Sequence, residues 1–223
     1  MSTEAPVVYV VDDDLSVRQA LSSFVRSTGL LVQTFASAEE FRRHPRADAP
    51  SCVILDVMLP DVSGLELLRE LASGDAAIPI VCITGHGTIP MGVRAIKEGA
   101  LEFLTKPFRE EDLLHAIEQA LDRDRAIRTA RAEIGALKAR IERLTPRERE
   151  VMALIVTGRL NKQIAAELGT AEQTIKQHRG RVMQKLEVDS VAELVRLVAR
   201  ATRGAPDAMA DAAEAGRPPI VPS

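Results

Sequence analysis

The sequence predicts an α/β domain followed by an all-α one, and three observations carry that expectation. Five short apolar runs alternate with helix-like stretches through residues 1–121. A segment without proline, rich in Arg, Ala and Glu, fills 122–144. Four helical patterns, each opened by a capping residue, follow in 145–200. A chain of 223 residues and 24.2 kDa suits two domains of ordinary size.

The apolar runs at 7–11, 31–35, 52–55, 80–83 and 102–104 read as strands, several of them continuously apolar, as strands buried on both faces should be. Residues 15–28, 38–43, 64–72, 91–98 and 110–121 have helical spacing. Gly29 is placed to stop the first helix, and Ser37-x-x-Glu40 forms a capping box for the second. Strict alternation of this kind predicts a doubly wound (βα)5 unit on a parallel sheet. Downstream, Ile127, Ile134 and Ile141 fall seven apart, as do Ala130, Leu137 and Leu144. That stripe suits a dimeric coiled coil roughly 35 Å long at ~1.5 Å per residue, or a linker helix packed on a neighbouring domain. The coiled coil is slightly favoured. Thr145-Pro146-Arg147-Glu148, a cap with Pro at the first helical position and Glu148 closing a capping box, then opens a helix reaching about Gly158. Asn161 is expected to cap a short second helix ended by Gly169, Thr170-x-x-Gln173 a third and Ser190-x-x-Glu193 a fourth. The tight Gly-containing turn between the second and third reads as a helix-turn-helix. The tail, 201–223, is Ala-, Gly- and Pro-rich without periodicity and is expected to be disordered.

Composition excludes several classes of function. No uncharged apolar run approaches the roughly 18 residues of a membrane span, and Met1 to Pro6 predicts no signal peptide, so a cytoplasmic location is expected. Cys52 and Cys82 sit singly in apolar runs, which predicts small buried hydrophobes rather than disulfides or thiolate metal ligands. With 3% aromatics and no Trp, stacking on single-stranded nucleic acid is excluded as a main activity. Charge is unevenly distributed. Residues 1–121 carry 10 Lys and Arg against 18 Asp and Glu, whereas 145–200 carry 10 against 7. An acidic front and a basic back imply different partners.

In an open parallel sheet, ligands bind beyond the carboxyl ends of the strands. There the sequence places Asp12, Asp13 and Asp14, then Asp56, Thr84 and Lys106-Pro107. An Asp at a strand end is commonly a turn former or helix cap, but acids, a hydroxyl and a lysine on one rim share a logic. Clustered carboxylates tolerate one another around a hard cation such as Mg2+, and a carboxylate nucleophile beside a metal and a lysine is equipment for phosphoryl transfer. His86, between Gly85 and Gly87, reads as a loop residue whose neighbours permit unusual backbone angles.

The stretches VVDDDLSVRQAL, ILDVMLPDVSGLELL and ITGHGTIPMGVRAIKEGALEFLTKPF together resemble a two-component response-regulator receiver domain. The resemblance implies that Asp56 accepts a phosphoryl group from a sensor histidine kinase. It implies that Asp12, Asp13, Asp56 and the Met58 backbone carbonyl hold Mg2+, and that Thr84 and Lys106 bind phosphate oxygens. Phe103 takes the place of a rotating switch aromatic, for which core packing is the plainer role, and the Lys106–Pro107 bond would be cis. A haloacid-dehalogenase-like phosphatase is the enzyme alternative, but its D-x-D-x-[TV] pattern ends here in Ser16. No turnover of an outside substrate is therefore expected.

In the back half, the third helix carries Lys176, His178, Arg179, Arg181 and Lys185 against Glu172 alone. A basic helix on an apolar floor is the electrostatic footprint of DNA binding. The run from Leu144 to Val188 resembles the LuxR-type helix-turn-helix, and HRGRVMQKL most resembles the FixJ subgroup of transcriptional regulators. By position, Thr174, Lys176, Gln177 and Gly180 would face the major groove of promoter DNA, with Lys176 and Gln177 reading bases. Asn161, Lys162, His178, Arg179 and Lys185 fit phosphate contacts or structural support. Gly180 departs from relatives, which often carry a larger residue there. The expected partners are a cognate kinase, double-stranded promoter DNA, RNA polymerase and, on phosphorylation, a second copy. A receiver fused to a protein-binding helical module is the alternative.

Overall fold

A computed structural model describes residues 5–60, 63–73 and 77–203. The chain divides into two compact units, Met1–Arg128 and Thr129–Ser223.

The first unit is built on a five-stranded parallel sheet of order β2-β1-β3-β4-β5, with β1 Val7–Val11, β2 Leu31–Phe35, β3 Ser51–Asp56, β4 Ile80–Thr84 and β5 Glu102–Thr105. Helices α1 Leu15–Ser27, α2 Ala38–Arg43, α3 Gly64–Ala72 and α4 Ile89–Lys97 connect the strands, and α5 Glu110–Glu142 follows the last. β1, β3 and β4 are buried at every residue, because apolar side chains fill both sheet faces. Tyr9, Val53, Leu55 and Cys82 join Phe41, Leu67 and Leu68 on one face. Val8, Val10, Cys52, Ile54 and Ile83 join Leu21, Val25, Leu113 and Ile117 on the other. The edge strand β2 departs from continuous burial: Leu31 is 53% exposed, since only one neighbour covers it.

Gly29 ends α1 at φ +82°, a left-handed conformation that glycine adopts without steric cost. Ser37 caps α2 at the Glu40 N–H, while the Glu40 carboxylate reaches back to Ala36 N. The helical segments expected at 110–121 and 122–144 are one continuous helix, α5, because nothing between them breaks the hydrogen-bond ladder. Its continuation remains tied to the first unit, where buried Asp124 accepts a 2.9 Å hydrogen bond from Ser51 N at the start of β3.

The second unit continues from the end of α5 into α6 Pro146–Val156, α7 Asn161–Glu167, α8 Glu172–Leu186 and α9 Val191–Arg203. Val151, Ile155, Ile164, Ile175, Val182, Leu186 and Leu194 make its core. Leu144 is buried in that core, with Leu137 and Ile141 packed against it. Over its C-terminal half the heptad stripe thus packs, in part, on the helices of the second unit. Thr145 and Glu148 form the expected capping box. Two expected caps are corrected. Leu160, not Asn161, precedes α7, and Gln163 Oε1 accepts from its N–H at 2.9 Å. Thr170 does not cap α8. Its N–H closes the turn onto Ala165 O at 3.0 Å, and α8 starts after Ala171 with no side-chain cap. The tail expectation lies outside the described residues from 204 onward.

Candidate functional site

The register of the sheet assembles the site. β1, β3, β4 and β5 run in parallel, with Val11 beside Leu55, Asp56 beside Ile83 and Thr84 beside Thr105. Side chains at the carboxyl ends of these strands therefore share one edge, at the point where the strand order reverses between β1 and β3.

Asp12, Asp13 and Asp56 bring carboxylate oxygens within 4.8 Å of one another. Asp12 and Asp56 are buried and Asp13 is exposed. Lys106 Nζ lies 2.7 Å from both Asp12 Oδ2 and Asp56 Oδ2 and donates to each. Asp12 Oδ1 accepts from Asp14 N at 2.9 Å, and Arg18 donates to the Asp12 carbonyl at 2.7 Å. Asp56 Oδ1 accepts from Met58 N at 2.8 Å, which sets the 58 backbone beside the acid. Burial pushes the Asp12 carboxyl up, against the hydrogen bonds from Lys106 and Asp14. Burial would lower Lys106, but its bonds to the two acids outweigh that and hold its ammonium above the ordinary lysine range. Three carboxylates against one ammonium leave the cluster short of two positive charges. Their oxygens are hard donors of the kind that hold a divalent cation.

Asp14 does not join this cluster. It caps α1, accepting from Ser16 N at 2.7 Å and Val17 N at 3.3 Å, and those two bonds draw its carboxyl below the usual range. Thr84 is buried at the same rim, and its hydroxyl oxygen accepts from His86 N at 3.3 Å. Phe103 is half-buried, with its ring in a slot floored by glycine. A Cβ added at Gly92 would lie 3.0 Å from Phe103 Cδ1, and one at Gly87 3.3 Å from its Cε1. Neither Gly85 nor Gly87 has positive φ, so the glycines beside the exposed His86 are not there for unusual angles. Gly87 is needed for room: a Cβ would fall 2.4 Å from the Thr105 methyl. The Lys106–Pro107 bond is cis. Cys52 and Cys82 lie in adjacent strands on opposite sheet faces, and burial pushes both thiols up to about 12. They are inert as nucleophiles.

In the second unit, Lys176, Gln177, Gly180 and Arg181 are exposed on α8, with Thr174 half-buried beside them. Lys162 is exposed on α7 and His178 is half-buried. Three other residues have partners inside the unit. Arg179 donates to Asn161 Oδ1 at 3.2 Å and so ties α8 to α7. Lys185 donates to Glu148 Oε2 at 2.6 Å and to the Arg143 carbonyl at 3.4 Å. These bonds favour structural support over phosphate contact for Asn161, Arg179 and Lys185. Sequence reasoning took Glu148 only as the closing member of a capping box. Its 2% exposure and its pairing with Lys185 carry no local signal.

Comparison with known proteins agrees with this geometry. Residues 8–118 match the model for the response regulator receiver domain, and 142–198 match that for bacterial regulatory proteins of the luxR family. Nodulation protein W of Bradyrhizobium diazoefficiens is 50% identical over 196 residues, covering 88% of this chain and 86% of that protein. The chain belongs to the response regulators. This response regulator is also 47% identical over 200 residues to the response regulator protein TodT of Pseudomonas putida, covering 90% of this chain and 88% of that one. It is 38% identical over 194 residues to the transcriptional regulatory protein FixJ of B. diazoefficiens, covering 87% and 95%. Among solved structures, response regulator StyR superposes with a TM-score of 0.74 at 49% identity, covering 88% of this chain and all of that one. Full-length FixJ from B. japonicum superposes at 0.52 and 36%, covering 91% and 99%. The regulator thus couples a phosphorylation-dependent receiver to a DNA-binding domain and regulates transcription, with a histidine kinase as its implied phosphodonor. Among the described residues, no helix is long and apolar enough to cross a membrane.

Proposed function

We propose that Asp56 is the phosphoacceptor of this regulator, and that its phosphorylation in the cytoplasm drives homodimerisation and binding to paired promoter half-sites. The observation that carries this reading is the buried Asp56 carboxylate held by Lys106 beside Asp12 at the sheet switch point. An oxygen of Asp56 attacks the phosphorus of the kinase phosphohistidine as the bond from phosphorus to imidazole nitrogen breaks. Lys106 and Thr84 then hold the new phosphate oxygens. Asp12, Asp13, Asp56 and the Met58 carbonyl would hold Mg2+, which when bound offsets the crowded negative charge. The only covalent chemistry in this reading is on the protein itself, including slow self-dephosphorylation.

Phosphorylation replaces the single negative charge of the Asp56 carboxylate with a phosphate of about −2 charges, which draws Thr84 and Lys106 inward and repositions Phe103 beside α4. Ile89, Val93 and Ile96 expose an apolar stripe on α4, which supports that face as the place where two copies meet. The working division is a receiver over 1–121, a helical linker over 122–144, a DNA-binding domain over 145–200 and a tail over 201–223. In the third of these, Thr174, Lys176, Gln177 and Gly180 face bases and Lys162 and His178 lie near phosphates. Bound at a promoter, the dimer contacts RNA polymerase.

The test is selection from random duplex DNA after incubation with acetyl phosphate and Mg2+. Phosphorylated protein should enrich a two-half-site sequence, and about six phosphate contacts would cost ~10³ in affinity between 50 and 200 mM salt. No enrichment would favour a protein-binding module instead.

Two variants probe the receiver. Lys106 competes with a cation for the carboxylates, whose Oδ2 atoms its ammonium holds at 2.7 Å. Lys106→Met is therefore expected to bind Mg2+ roughly tenfold more tightly by calorimetric titration. Unchanged or weaker binding would contradict that competition. Gly92→Ala crowds the Phe103 ring at 3.0 Å. Phosphate uptake should be unchanged while dimerisation on phosphorylation, followed by sedimentation, weakens about tenfold, the size of a typical coupling energy.

A further inference from the structure

We propose that Gly180 is the point of closest approach between α8 and bound DNA, and that its missing side chain helps set which sequence is bound. The proposal rests on α8 being the helix that enters the major groove. Glycine is the least favourable helix residue after proline, yet Gly180 sits mid-helix between Glu172 and Leu186. Among the described residues nothing calls for it. Its φ is not positive, and an added Cβ would meet no atom within 4 Å.

The surroundings say where the use lies. Ile175, Val182 and Leu186 are buried on the inner side of α8, and Gly180 lies on the opposite, exposed side. Lys176, Gln177, Arg181 and Gln184 are exposed around it, four and three residues before it and one and four after it. Among the described residues none of these four side chains has a hydrogen bond or ion pair within the chain. A helix with side chains is about 10–12 Å across and the major groove about 12 Å wide, so the seating depth is set by whatever projects at the centre of the contacting face. A bare Cα there lets the backbone come close to base edges. That brings Lys176 and Gln177 within reach of them.

Gly135 supplies an internal control. It is also helical, exposed and free of any atom within 4 Å of an added Cβ, but it lies in α5. The experiment measures melting temperature and affinity for the selected duplex, using full-length phosphorylated protein. Gly180→Ala and Gly135→Ala should both raise the melting temperature, by roughly 4 °C each. Gly180→Ala should lose tenfold or more in affinity for the selected duplex and Gly180→Leu more still, while affinity for an unrelated duplex stays put. Gly135→Ala should bind within twofold of wild type. Binding within twofold by both Gly180 variants overturns the proposal. The double variant Lys176→Ala, Gln177→Ala separates the two possible failures. If it loses binding while the Gly180 variants do not, only the closest-approach idea falls. If none of them loses binding, the placement of α8 in the groove falls with it.

Discussion

Asp56→Asn is expected to take up no phosphoryl group from acetyl phosphate and Mg2+, where wild type takes up one by intact mass. The amide keeps the size of the acid and an oxygen to accept the 2.8 Å bond from Met58 N, while Lys106 Nζ gives up its bond to residue 56 and keeps the one to Asp12. What the amide lacks is the anionic oxygen that attacks phosphorus. The neighbouring acids are poor substitutes. Asp12 is fully buried with its oxygens bonded to Lys106 Nζ and Asp14 N, and Asp13 is exposed to solvent. The same variant should lose the gain in affinity that phosphorylation confers on a two-half-site duplex, roughly 10- to 100-fold if the coupling is of ordinary size. Equal phosphate uptake by variant and wild type would remove Asp56 from the mechanism.

The second large effect is expected at Lys185. Removing it with Lys185→Met takes away the cation paired with the Glu148 carboxylate, which is 2% exposed and keeps the 2.9 Å hydrogen bond from Thr145 N. Breaking a fully buried pair costs about 3–5 kcal/mol. Here Lys185 is only half-buried and one bond survives, so about 2 kcal/mol is the expectation for the second unit, read by scanning calorimetry. The effect has a defined pH signature. The Lys185 hydrogen bond, then that from Thr145 N, holds the Glu148 carboxyl below the usual range. Folding therefore favours the ionised form. The stabilisation is complete above the ordinary glutamate range and is lost as pH falls through the lowered folded value. The gap between wild type and variant should shrink in acid; a gap that widened there would contradict the pairing. If Lys185 instead touched DNA phosphate, its removal would lower the slope of log affinity against log salt by about 0.9. The internal ion pair predicts an unchanged slope.

The positions of the elements were legible because the signals for them act within a turn or two. Apolar runs, a capping box at Thr145 and Glu148, and a glycine stop at residue 29 each work on neighbouring backbone groups. The misread caps, Asn161 and Thr170, lie where two helices compete for one short turn, which a motif cannot arbitrate. The gathering of Asp12, Asp56, Thr84 and Lys106 was legible too, since parallel strands joined by helices put all their carboxyl ends on one edge. Within that edge the resemblance had already singled out Asp12 and Asp13, but only the tertiary structure decided which groups pair. Asp13 joins the acids while Asp14 turns away to cap α1, Lys106 spans Asp12 and Asp56 across 94 and 50 residues, and Lys185 is drawn 37 residues back to Glu148. Sequence separation of that size leaves no periodic trace. Which partner a charge finds depends on the packed distance and on how much water the core has excluded, and neither exists until the chain has folded.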